Sequence, residues 1–278
     1  MEEQDLGPGA RRRYLGKALR RLRENNKLRT TEVAKLVRIT QPTVSRIEGG
    51  RHAIMPRHVY RMLEIYGADE LTSARVMRLA EDDSEHGWWE SYGDVIQDWF
   101  EIYASLESDT SEIWTYETEF VPGQFQTEDY ARAIVLAANP ASSPDQVDRL
   151  VQLRKERQAQ RGDQKMIAVV NEAVVLRQVG GAEVMRAQLR RLLEESRNRR
   201  IELRLLPFSV GAHAAMSGPF AMLRFPDTGG ADMDLVYVEH ERGSVYLERP
   251  ADLIRYTDVF TRSRNAALPV RKTAEYLV

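Results

Sequence analysis

Along the first 80 positions, apolar residues recur at helical spacing in short bursts separated by breakers. Leu15, Ala18, Leu19 and Leu22 form one stripe, with Arg20, Arg21 and Arg23 outside it, and predict a helix over 15–25 ended by Asn25-Asn26-Lys27. Val33, Ala34, Leu36 and Val37 predict a second over 32–37, capped by Thr30 or Thr31. Thr40 caps a third from Gln41 to Glu48, with Pro42 in its first turn; Val44 and Ile47 point inward and Gly49-Gly50 stop it. Pro56 opens a fourth, carrying Val59, Met62, Leu63 and Tyr66 and closed by Gly67, and Asp69 caps a fifth to about Ala80. Ahead of them Gly9-Ala-Arg-Arg-Arg reads as a flexible basic arm.

The pattern then changes. Residues 81–87 are a polar, acidic joint, after which Trp88-Trp89 opens a long helix with Val95, Ile96, Trp99, Phe100, Tyr103 and Leu106. Residues 112–121 have strand content and end at Pro122-Gly123; helices follow over 127–138 and 144–161. Residues 166–170 read as a buried strand, and 182–197 as an amphipathic helix facing inward through Val184, Leu189, Leu192 and Leu193. Strands are expected at 201–206, 220–225, 234–238 and 244–247, with helices starting at Pro250 and Pro269. The pattern predicts an all-α five-helix domain over 1–80, a joint over 81–87 and an α+β or α/β domain over 88–278.

Composition fits this division. With 278 residues, 42% of them hydrophobic and 29% charged, the chain has material for two folded domains. No apolar run approaches ~18 residues, and the start (Met1-Glu-Glu-Gln-Asp-Leu-Gly-Pro) has no signal-peptide hydrophobic segment, so a cytoplasmic protein is expected. The chain has no cysteine, which excludes disulfides, thiolate zinc sites and thiol nucleophiles. The net charge of −2 hides a split: residues 1–80 hold 17 Lys/Arg and 9 Asp/Glu, net +8, and residues 81–278 hold 23 and 33, net −10. A small basic domain on a larger acidic one fits a nucleic-acid-binding head on a non-binding body, although a basic face is also often just solvated.

The most informative stretch is Thr30–Arg51. A short helix, a tight turn and a second short helix fit a helix-turn-helix, with small Ala34 permitting close helix crossing and Ile39, Val44 and Ile47 pinning the second helix. The second helix shows Gln41, Thr43, Ser45 and Arg46 to solvent. Gln pairs with adenine, Arg with guanine, and a Thr methyl suits thymine.

Thr30, Val33, Ala34, Ile39, Thr40, Val44, Ser45, Ile47, Glu48 and Gly50 resemble the Xre/Cro-repressor type of helix-turn-helix. The family's turn glycine is replaced by Arg38, where a positive φ would cost about 1 kcal/mol. Either the turn differs or Arg38 gains a phosphate contact. The resemblance implies a helix in the major groove, with Gln41, Thr43 and Arg46 reading bases and Thr30, Thr31, Ser45 and Arg51 touching phosphates. Arg11–Arg13 would reach the minor groove or backbone, or stay solvated. Trp88-Trp89, Tyr116–Thr127 and Leu206–Phe220 resemble the uncharacterised C-terminal domain of actinobacterial antitoxin-like regulators, often encoded beside a small partner protein.

Catalytic signals are sparse in the second domain. His52, His58, His86, His213 and His240 make no metal-ligand spacing, and no Walker, G-x-S-x-G or G-x-G-x-x-G motif occurs. No enzyme activity, cofactor or metal is expected. His213, between two predicted strands, reads as structural or ligand-facing, with a general-base or nucleophilic role as the alternative. Glu117 and Glu119 face one side of a strand, most simply toward solvent. Trp88, Trp89, Trp99 and Trp114 read as core, or as the lining of a ligand pocket. Arg149, Arg154, Lys155, Arg157 and Arg161 make a charged helix face, solvated or a partner surface. The expected function is a DNA-binding transcriptional regulator, homodimeric on a two-fold operator, whose second domain senses a small partner protein or small-molecule effector. The alternatives are an antitoxin-type module that sequesters a partner and a DNA-tethered hydrolase using His213.

Overall fold

A computed structural model describes residues 9–50, 52, 54–81, 92, 95–96, 98–108, 110–225, 234–241 and 243–278. The described residues fall into two compact units, one from 9–92 and 98–106, the other from 95–96, 107–225 and 234–278. Apart from Glu81, the expected joint at 81–87 lies outside the described residues, as do Trp88 and Trp89.

The first unit is helical: α1 (Gly9–Asn25), α2 (Thr30–Val37), α3 (Gln41–Glu48), α4 (Pro56–Ile65) and α5 (Glu70–Glu81), with α6 (Asp98–Glu107) beginning beyond the undescribed stretch. The expected flexible arm is corrected: its backbone from Gly9 is the first turns of α1. Alanine and arginine are good helix formers, and α1 extends through them from the apolar stripe. Leu15, Leu19, Val33, Val44, Ile47, Val59, Met62, Leu63 and Tyr66 form one buried core. The long helix expected from Trp88 is shorter, because Val95 and Ile96 lie in a turn and a bend before α6.

The second unit is α+β. Its elements are β1 (Glu112–Glu117), α7 (Glu128–Ala138), α8 (Pro144–Ala159), β2 (Lys165–Asn171), α9 (Glu172–Leu176), α10 (Ala182–Glu195), β3 (Ile201–Leu206), β4 (Phe220–Arg224), β5 (Leu235–His240), β6 (Gly243–Leu247), α11 (Pro250–Ala266) and α12 (Val270–Tyr276). The sheet order is β3-β2-β1-β4-β5-β6. The first three strands are parallel, joined by helical crossovers; β4, β5 and β6 pair antiparallel. Such a mixed sheet settles the open choice in favour of α+β. Tyr116, Ile167, Val169, Phe220, Met222 and Val236 line one sheet face and pack on Phe260, Ala267, Tyr256 and Val259 around α11.

Two expected burial patterns shift. In α10 the buried residues are Met185, Gln188, Leu192 and Glu195, whereas Val184, Leu189 and Leu193 are half-buried. The stripe turns because polar groups anchor it: Gln188 accepts from Thr127 N–H at 2.8 Å and donates to the Phe125 carbonyl at 2.8 Å. Strand β1 stops at Glu117, so Glu119 lies beyond it, exposed and paired with Arg177 at 2.5 Å. Among the described residues no helix is long and apolar enough to cross a membrane.

Candidate nucleic-acid interface

Helix α2 begins at Thr30, earlier than expected. Arg29 is the cap residue instead of Thr30 or Thr31, and its N–H donates to the Glu32 carboxylate at 2.6 Å. Ala34, Val33 and Val37 are buried on its inner side. The helix ends at Arg38 in the left-handed region (φ 60°, ψ 43°). Arg38 N–H donates to the Lys35 carbonyl at 3.4 Å and Ile39 N–H to the Ala34 carbonyl at 3.0 Å. This two-bond closure satisfies helix-end carbonyls and folds Ile39 onto the core. The turn therefore keeps the geometry of a glycine turn, and Arg38 adopts the conformation itself.

Thr40 then caps α3, its hydroxyl accepting from Thr43 N–H at 3.3 Å. Val44, Ile47 and Glu48 are buried, which fixes the helix rotation. Gln41, Ser45 and Arg46 are exposed. Thr43 is half-buried rather than fully outward, because its hydroxyl contacts Thr40 Oγ1 at 2.7 Å. Gln41 Nε2 donates to Ser45 Oγ at 3.0 Å and Thr30 Oγ1 at 3.3 Å, so three of the expected contact residues form one cluster across both helices. Arg46 Nε lies 3.4 Å from the Pro42 carbonyl, a weak hold that leaves its guanidinium exposed. Thr31 and Arg38 are also exposed; Arg51 lies outside the described residues.

Two supports of α3 escaped the sequence reading. The first is Arg23, placed outside the apolar stripe there but 8% exposed in the fold; Glu48 is 7% exposed. Arg23 Nε and Nη2 bond Glu48 Oε1 and Oε2 at 2.7 and 2.8 Å, and Nη1 donates to the Leu28 carbonyl at 2.8 Å. The Glu48 bond, with its charge, raises Arg23's pKa against the opposing effect of burial. A signal existed: Arg23 is four residues after Leu19, and Glu48 four after Val44, so both fall on buried stripes. The second support is Gly16. A Cβ there would lie 2.3 Å from the Ile47 carbonyl oxygen and 2.8 Å from that of Glu48, so α1 crosses the end of α3 at backbone contact.

In the second unit, burial lowers the His213 pKa, and both ring nitrogens have neighbours: Ala215 N–H donates to Nδ1 at 3.3 Å and Tyr116 Oη lies 3.4 Å from Nε2. Trp114 stacks on Phe260 at 5.0 Å between ring centres, and the Trp99 side chain lies outside the described residues. The helix expected over 144–161 ends at Ala159, so Arg161 lies in the turn beyond α8. The charges here largely face partners in the same unit: Lys155 pairs with Glu128 (2.7 Å), Arg157 with Glu107 (2.5 Å) and Arg161 with Glu195 (3.0 Å). No group of three or more His, Asp or Glu residues among the described ones is placed to hold a metal ion.

Comparison with known families agrees with this division. Residues 14–75 match a family described as a helix-turn-helix domain, which supports a DNA-binding regulator. The comparisons with curated proteins and with solved structures find no match. Residues 100–278, about two-thirds of the chain, match the family described as "Domain of unknown function (DUF5753)", and the chain belongs to that family.

Proposed function

We propose that the chain is a sequence-specific transcriptional regulator of the Xre/Cro type, acting in the cytoplasm as a homodimer on a two-fold operator. The observation that carries this reading is the outward face of α3. Val44 and Ile47 lock the helix, and Gln41, Thr43, Ser45 and Arg46 are left on its surface in a region of net charge +8. Gln41, Thr43 and Arg46 read base edges; Thr30, Thr31, Arg38, Ser45 and Arg51 contact phosphates. The second unit receives a signal rather than catalysing a reaction. A signal moves such a protein only through different affinities for two states. A small partner protein, as in the antitoxin-like regulators that the sequence resembles, or a small molecule would serve.

A titration of the full chain on genomic operator DNA and on random duplex, at several salt concentrations, tests this. Each neutralised phosphate steepens the fall of log affinity with log salt by about 0.9. The reading expects tighter operator binding and a steep slope on both duplexes. Equal affinity for both would remove sequence specificity, and no affinity for either would remove the reading.

A further inference from the structure

At the start of α3, three polar side chains share one amide. Gln41 Nε2 donates to Ser45 Oγ at 3.0 Å, one turn along its own helix, and to Thr30 Oγ1 at 3.3 Å, at the start of α2. A glutamine amide nitrogen carries two hydrogens, and both are spent here. Gln41 is exposed, and its Oε1 accepts no hydrogen bond among the described residues. That oxygen is what Gln41 has left to offer a base.

Each hydroxyl in the cluster accepts from Gln41 and keeps its own hydrogen to donate. In the regulator reading above, Thr30 and Ser45 meet phosphate oxygens, which only accept. A hydroxyl whose hydrogen goes to phosphate can hold the amide only by accepting from its nitrogen. The phosphates therefore fix which way the amide lies: hydroxyl hydrogens toward the backbone of the DNA, amide hydrogens toward the hydroxyls, and the amide oxygen toward the base. With the amide turned over, Oε1 and phosphate would compete for the same hydroxyl hydrogens.

This changes what Gln41 can read. With both amide atoms available, glutamine reads adenine, donating to N7 and accepting from N6. An oxygen alone accepts from any exocyclic amine in the major groove. Adenine N6 and cytosine N4 supply one; guanine and thymine present oxygens there, which repel Oε1.

We propose that Gln41 reads an exocyclic amine rather than adenine alone: its position in each half-site accepts A or C and rejects G and T. Thr30 and Ser45 act as positioning residues that set this degeneracy by holding Nε2. The proposal rests on the regulator reading and adds the class of base read at one position.

For the test, the full chain selects its site from random duplex, and titrations then compare the four duplexes that differ at each selected position, changed alike in both half-sites. Gln41→Ala identifies the position, as the one where it levels the preference to within ~twofold. There the wild type should bind the A and C duplexes within ~threefold of each other, and the G and T duplexes at least ~tenfold more weakly. Thr30→Val with Ser45→Ala frees the amide nitrogen. This double variant loses phosphate contacts and weakens on all four duplexes alike, but adenine should now lead cytosine by at least ~fivefold, because only adenine offers N7 beside its amine. A purely structural cluster would leave the A-to-C ratio unmoved. A wild type that favours adenine alone or tolerates G or T, a site with no position levelled by Gln41→Ala, or an unmoved A-to-C ratio in the double variant overturns the inference and leaves the regulator reading standing. If the double variant does not fold, the wild-type ratios decide. A pool with no enriched sequence removes both.

Discussion

Arg38 holds a backbone conformation that ordinarily belongs to glycine, at φ 60°. The strain amounts to about 1 kcal/mol, and it sets an exposed cation at the head of α3, where the proposed reading puts a phosphate contact. Arg38→Gly should raise the stability of the first unit by roughly 0.5–1 kcal/mol in thermal melts and weaken DNA binding by a similar factor on every sequence. Unchanged affinity would remove Arg38 from the phosphate contacts. Arg46→Ala should cost ~1–3 kcal/mol on the operator and less on random duplex, measured by titration; equal losses would make Arg46 a phosphate contact only. Glu117 gives a pH signature. Burial raises its folded pKa to about 8, above its unfolded value near 4.5, so between those pH values the folded chain holds the extra proton and stability falls as pH rises. Glu117→Gln should flatten that fall, by up to about 1.4 kcal/mol per pH unit, in melts from pH 5 to 8. A parallel fall in wild type and variant would show that Glu117 is not buried as described. At this scale the outward residues of α3 were legible, since Val44 and Ile47 fix which face is free. Glu117 was read as a solvated strand residue, because nothing local in the sequence tells which helix covers a strand face.

Among elements, the position of α3 depends on α1. Gly16 allows backbone contact, and the Arg23–Glu48 pair ties α1 to the end of α3. Removing one partner of a buried pair leaves the other uncompensated, at about 3–5 kcal/mol. Glu48→Ala should therefore destabilise the first unit by that order in denaturant titration, and Arg23→Met with Glu48→Leu should recover most of it. Loss of under about 1 kcal/mol in the single variant would mean the pair is not sealed from water. Helix and strand positions were largely readable, because caps and breakers such as Thr40, Pro56, Gly67, Pro122 and Pro250 mark their ends locally. The misread elements have nonlocal causes. The turn at Val95–Ile96 interrupts an apolar run with helical spacing, and α10 rotates its stripe to satisfy Thr127 and Phe125 through Gln188.

On the scale of the whole molecule, the chain pairs a basic helical unit that matches a helix-turn-helix family with an acidic α+β unit; in the proposed reading one reads DNA and the other receives what changes the reading. The charge split, net +8 over 1–80 and −10 over 81–278, was visible in the sequence. The strand order was not, because it depends on which distant segments pair. Specific reading by α3 is the central claim, and selection of bound duplexes from a pool of random sequence by the full chain tests it most directly. A homodimer carrying two α3 helices should enrich a palindromic site with half-sites about 10 bp apart centre to centre, or a multiple of that spacing. Recovery of a pool with no enriched sequence would contradict the account.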